Sequence, residues 1–208
     1  VRDVDPEKWN ILAEKTVNAL RRKNTERKLI IGSTCWNSPY TLNKLRVFDD
    51  ENVIYTFHTY DPISFTHQRG VLQPGPLYYN REMPYPGDIE RYRDFERVVN
   101  GNEKSFEGCA AMDSRYINRS LAPAAEFIKR NPDKILWCGE FGTIRHCRLE
   151  WRENWTRDVI KFLKANEIPY CVWNYLSTPN DGNRFSLVDD DTRKILSHNL
   201  AEIIKGNV

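Results

Sequence analysis

Glu140 stands where a buried strand should end, in the run Gly139-Glu140-Phe141-Gly142 that follows Ile135-Leu136-Trp137-Cys138. A carboxylate at the mouth of a strand is costly unless something uses it or pairs it. Glycines on both sides let the backbone turn and leave room for a ligand beside the acid. Strand context alone leaves two readings, a reactive carboxylate or an ion pair with a loop arginine such as Arg145. His58 and Tyr60 lie two residues apart in a second strand-like run, so their side chains are expected on one side of it. They read as site polarity or as core polarity satisfied by hydrogen bonds. Trp173, with Asn174 and Tyr175 beside it, ends a further run, where a single tryptophan is by default a core residue.

These residues need elements to carry them. Asp5-Pro6-Glu7 supplies an N-cap, a proline at the first helical position and an acidic first turn. Trp9, Leu12, Ala13, Thr16, Val17 and Leu20 recur at helical spacing and predict one buried face through about Arg22. Lys28 to Ser33 is an apolar run too short for a helix and predicts a strand. Asn52 to Tyr60, rich in β-branched and aromatic residues, predicts a second, and a loop with a short helix at most, Trp36 to Asn52, joins them. From Asp61 to about Ala111 no period is sustained between the prolines. Residues 61–112 are therefore expected to form one long loop, and so long a loop in a compact domain is usually functional. Asp113-Ser114 opens a helix that ends at Asn131-Pro132. Strand Lys134–Gly142, a helix from about Glu150, strand Tyr170–Tyr175 and a closing helix Thr192–Lys205 complete the order.

Strands alternating with helices predict an α/β fold with a parallel sheet. The polar and aromatic residues of interest fall at strand C-terminal ends, as the active-site face of a (β/α)8 barrel requires. The expectation is a partial (β/α)8 barrel: about four parallel strand–helix units preceded by one helix, residues 1–208 forming a single domain. Eight units need about 250 residues. The chain has 208, with a loop of roughly fifty among them.

Composition narrows the function. Thirty-one basic against 29 acidic residues leave a formal net charge of +2, which offers little to nucleic acid or an anionic membrane. The basic cluster Arg21, Arg22, Lys23, Arg27, Lys28 sits at a helix end, where positive charge complements the dipole. No run approaches the roughly 18 apolar residues of a membrane span, and Val1 to Pro6 has no apolar signal-peptide core. The five cysteines form no CxxC pair or zinc-ligand spacing, so free thiols are expected and neither metal nor cofactor. Six Trp, ten Tyr and nine Phe suit stacking on sugar rings as well as core packing.

Taken together, His-x-Tyr on one strand, Gly-Glu-x-Gly on the next and Trp on the last resemble family-5 glycoside hydrolases, the cellulase-type retaining enzymes. The run Phe57-His58-Thr59-Tyr60-Asp61-Pro62 with Phe65-Thr66-His67-Gln68 resembles their bacterial endoglucanase branch. So do Trp9-Asn10 with Leu29-Ile30-Ile31-Gly32, and Phe185-Ser186-Leu187-Val188-Asp189 resembles the loop after the family's last strand. The resemblance implies that the four strands are the fifth to eighth of the barrel. It makes Glu140 the nucleophile and His58 and Tyr60 the pair that orients and hydrogen-bonds the carboxylates. Trp173 becomes the stacking floor under the sugar, with Trp36 and Asn174 also in substrate contact. The implied substrate is β-1,4-glucan or a related plant polysaccharide, and the family is usually secreted.

The sequence departs from the family in one respect. The general acid normally lies in an Asn-Glu-Pro motif ending strand four, and no such motif occurs here. Asp61, Glu82 and Asp88 in the long loop are the carboxylates that could replace it, and their spacing recommends none. The expected function is thus a retaining glycoside hydrolase that supplies the nucleophile without the usual acid/base. The alternatives are a non-catalytic saccharide-binding half-barrel, using Trp173 and the aromatic loop Leu77 to Tyr85, and an unrelated half-barrel metabolic domain. The edges and inner face of half a barrel favour self-association, so a homo-oligomer is expected.

Overall fold

The computed structural model describes residues 5–178 and 181–207. Val1 to Val4, part of the stretch just read for a signal peptide, lie outside the described residues, as do residues 179, 180 and 208. The chain forms two compact units, one of Val1–Thr59, Ser120–Glu140 and Asn166–Cys171, the other of Tyr60–Arg119, Phe141–Ala165 and Val172–Val208.

The first unit opens with α1, Pro6–Arg21, where Asp5 accepts a hydrogen bond from the Glu7 N–H at 2.9 Å. Its buried stripe is Asn10, Ala13 and Val17, narrower than the expected face; Leu12 and Leu20 are exposed. Asn10 can be buried because its amide is used: Nδ2 donates to the Lys44 carbonyl and Oδ1 accepts from the Arg46 N–H, both at 2.9 Å. β1, Leu29–Gly32, pairs in parallel with β2, Val53–Thr59, from Leu29 opposite Val53 to Gly32 opposite Thr56. A single turn α2, Thr34–Asn37, and a 3-10 helix, Pro39–Lys44, connect them. β2 buries Val53, Tyr55, Thr56, Phe57 and Thr59, while Ile54 and His58 are half-buried. The Tyr55 ring meets Phe127 at 5.2 Å between centroids, and its hydroxyl accepts from the Phe48 N–H at 2.7 Å.

β3, Ile135–Phe141, completes a three-stranded sheet of order β1-β2-β3. The fourth strand expected at Tyr170–Tyr175 is a correction. Among the described residues it is reduced to one parallel bridge, Cys138 with Tyr170, held by Cys138 N–H to Pro169 O and Cys171 N–H to Cys138 O, each 2.9 Å. Beyond Cys171 the segment keeps only the Trp173 N–H to Phe141 O bond at 2.8 Å and forms no further bridge among the described residues, so strand-like composition does not become a strand without regular pairing.

The second unit corrects the long loop. Residues 61–112 contain α3 (Ile63–Thr66), α4 (Pro74–Tyr79), α5 (Ile89–Asn100) and a 3-10 helix, Lys104–Phe106. α5 is capped by Asp88, which accepts from the Glu90 N–H at 3.0 Å, and is ended by Gly101 at φ 69°. It buries Ile89, Tyr92 and Phe95. α6, Ser114–Arg130, runs from this unit into the first. Trp155 of α7, Leu149–Ala165, is fully buried between the rings of Phe65 and Phe141, each 6.2 Å away, and donates Nε1–H to the Asp61 carbonyl at 3.0 Å. The closing helix α8 covers only His198–Ile204. Ser197 caps it at 3.0 Å, and the expected first turns are instead spent on an antiparallel bridge between Val188 and Ile195.

Candidate active site

The first unit brings His58 of β2 and Glu140 of β3 together at strand C-terminal ends. His58 Nδ1 is 3.4 Å from Glu140 Oε2, and both side chains are about 30% exposed (28% and 30%). Burial lowers the His58 pKa from its usual value and the Glu140 carboxylate opposes that shift. At neutral pH the ring is therefore neutral, with Nδ1 the ring nitrogen that lies against the acid. Glu140 is thus a half-exposed carboxylate with a histidine ring beside it, a group whose chemistry is to attack an electrophile or take a proton.

Gly139 makes this approach possible. A Cβ there would sit 2.8 Å from Thr56 Oγ1 and 3.2 Å from His58 Nε2. The space that glycine leaves at position 139 is thus used by neighbouring side chains. Thr56 Oγ1 is buried with no hydrogen-bond partner among the described residues. Thr56 was not singled out from the sequence, although its place two residues before His58 puts it on the same face of β2.

Trp36 belongs to the same unit. It lies in α2, whose dihedrals are left-handed at Cys35 (φ 56°, ψ 54°) and Trp36 (φ 55°, ψ 38°), followed by Asn37 at φ 64°. For residues other than glycine or asparagine this costs roughly 1–2 kcal/mol each. The turn directs an indole that is 60% exposed.

In the second unit Tyr60, the first residue beyond β2, is held by a triangle of rings: His67 at 5.2 Å, Phe185 at 5.9 Å, and His67 to Phe185 at 5.0 Å. Thr66 Oγ1 donates to the Tyr60 carbonyl at 2.5 Å and lies 3.0 Å from His67 Nδ1. Burial pushes the His67 pKa down to about 4. His67 and Thr66 entered the sequence reading only as part of a motif, and the ring triangle was not legible there. Trp173 is 45% exposed, its N–H donating to the Phe141 carbonyl at 2.8 Å. This close approach needs Gly142, where a Cβ would lie 2.1 Å from the Trp173 carbonyl oxygen. The Trp173–Asn174 peptide is cis. The Asn174 side chain bonds within its own loop, to the Leu176 carbonyl at 3.1 Å and from the Ser177 hydroxyl at 3.4 Å. Arg145, weighed as an ion-pair partner for Glu140, lies 3.1 Å from Asp190.

Comparison with known proteins identifies the family. The family model for cellulase, glycosyl hydrolase family 5, matches residues 2–178. Endoglucanase C of Acetivibrio thermocellus is 35% identical over 207 residues, covering 98% of this chain and 58% of that protein. Endoglucanase 3 of Fibrobacter succinogenes is 25% identical over 176 residues, covering 80% of this chain and 26% of that protein. The chain therefore spans a little over half the length of the first of these relatives. Among solved structures, the endoglucanase Cel5A of Thermotoga maritima superposes with a TM-score of 0.71 at 26% identity, covering 96% of this chain and 54% of that one. A match over most of the chain, together with these relatives, places it: the chain belongs to the cellulase family, glycosyl hydrolase family 5.

Proposed function

We propose that these residues supply the nucleophile of a retaining β-1,4-glucan hydrolase. The observation that carries the reading is the His58–Glu140 pair, 3.4 Å apart at adjacent strand ends. Glu140 attacks the anomeric carbon, forming a glycosyl ester as the bond to the leaving oxygen breaks. His58, 3.4 Å away, orients the carboxylate. Tyr60, held by its ring triangle, is the further hydrogen-bonding group of the proposal, and the exposed faces of Trp173 and Trp36 are its stacking surfaces for sugar rings. Asn174 contributes by holding the loop that carries Trp173.

A retaining mechanism also uses a second carboxylate about 5 Å from the first, which protonates the leaving oxygen and then deprotonates the attacking water. We assign that role to none of the 208 residues. The relatives named endoglucanase, and the parallel sheet with its site at strand ends, support β-glucan as the substrate class.

The test is covalent trapping. Incubation with 2,4-dinitrophenyl 2-deoxy-2-fluoro-β-cellobioside should add one fluorocellobiosyl group, mapped to the peptide containing Glu140 and absent in Glu140→Gln. Label on another carboxylate would overturn the assignment. The exposure of Trp36, Trp173 and Tyr175 favours a second reading, saccharide binding without turnover. A folded protein that binds cello-oligosaccharides and takes no label would support that one instead.

A further inference from the structure

We propose that Asn37 is a positioning residue, whose side-chain amide holds the left-handed turn that presents Trp36 as a stacking face for a β-glucan chain. This rests on the reading of Trp36 as a sugar contact.

Three consecutive residues, Cys35, Trp36 and Asn37, have φ of 56°, 55° and 64°. Residues other than glycine stay in that region only where their surroundings over-determine it. Burial of the indole is a poor reason for it, because Trp36 remains 60% exposed. The turn is instead built from polar contacts around Asn37. Asn37 Oδ1 accepts from the Ser33 N–H at 2.7 Å, and the Ser38 N–H donates to the Thr34 carbonyl at 3.2 Å. Ser33 Oγ donates to the Ser38 carbonyl at 2.7 Å, and Thr41 Oγ1 to the Thr34 carbonyl at 2.8 Å. The Asn37 amide fits because residue 32 is glycine: a Cβ there would lie 2.7 Å from Asn37 Oδ1. Asparagine suits position 37 twice, since it tolerates the left-handed region and offers the acceptor the turn requires.

The consequence is an exposed indole fixed before any ligand arrives, directly beyond β1. An apolar face of this kind fits the C–H face of a pyranose ring. Fixing it in advance removes the ordering cost that a mobile tryptophan would charge against binding.

A double-mutant cycle on cellopentaose binding, measured calorimetrically in a Glu140→Gln background that prevents turnover, tests the proposal. Trp36→Ala and Asn37→Gly should each weaken binding about tenfold. Glycine keeps the backbone comfortable at position 37 and deletes only the acceptor. The double variant should be no weaker than Trp36→Ala alone, and Asn37→Asp, which retains an acceptor, should stay within about twofold of the parent. In protein carrying 5-fluorotryptophan, the 19F resonance of Trp36, identified by its loss in Trp36→Phe, should broaden or shift in Asn37→Gly. Additive losses, or binding and a Trp36 resonance unaltered in Asn37→Gly, overturn the positioning role alone. A parent that binds no cellopentaose, or Trp36→Ala binding like its parent, overturns the sugar contact on which the proposal rests.

Discussion

His67 should make the stability of this protein depend on pH in a way that a single substitution removes. Its side chain is enclosed, with the residue only 6% exposed, against the rings of Tyr60 and Phe185, with the Thr66 hydroxyl 3.0 Å from Nδ1. Burial alone lowers its pKa from 6.5 to about 4. Because the folded pKa is depressed, the folded state binds fewer protons than the unfolded chain between those values. Stability is therefore complete above about pH 6.5 and is lost as pH falls toward 4. At pH 7.5 the ring is neutral in both states. At pH 4.5 the unfolded histidine is almost wholly protonated and the folded one about a quarter so, which disfavours the fold by about 2.5 kcal/mol. His67→Phe keeps a ring in the triangle and removes the titration. Urea unfolding followed by tryptophan fluorescence at the two pH values should show the variant losing about 2.5 kcal/mol less than the parent. Carboxylates that titrate in the same interval cancel in this comparison. Parallel losses in the two proteins, or a His67 titration near 6.5 by NMR, would refute the reasoning.

Two further substitutions probe the framework of the site. Gly142→Ala places a Cβ 2.1 Å from a backbone oxygen of Trp173, whereas Gly139→Ala meets side-chain atoms of Thr56 and His58 at 2.8 and 3.2 Å. The first should cost about 3 kcal/mol or more and the second roughly 1–3, a ranking that thermal unfolding of both variants checks directly. Thr56→Val removes a buried hydroxyl with no partner among the described residues. It should leave stability unchanged or raise it by about 1 kcal/mol, and a loss of that size would show the hydroxyl to be bonded in solution.

The regular elements were legible where composition, caps or an apolar stripe marked them. The β-branched and aromatic run from Asn52 to Tyr60 predicted β2, the Asp5-Pro6-Glu7 start and apolar stripe predicted α1, and Asp113-Ser114 with Asn131-Pro132 predicted the bounds of α6. α5 was missed because charged residues separate Ile89, Tyr92 and Phe95, yet its signals, Asp88 before it and Gly101 after it, were both present. Composition misled at Tyr170–Tyr175, where aromatic and β-branched residues form a bridge and then a loop.

What the sequence determined by itself was the kind of residue at each strand end and the family these residues resemble. A strand-terminal Glu140 between glycines, and His58 two residues before Tyr60, are one-dimensional facts. Only the tertiary structure decided how they are used. That Gly139 admits Thr56 and His58, that Gly142 admits the Trp173 carbonyl, and that Asn37 closes a left-handed turn beneath Trp36 are matters of approach distance. The first two depend on residues far apart in the chain meeting at van der Waals contact, the third on a local turn geometry, and no period or propensity encodes any of them.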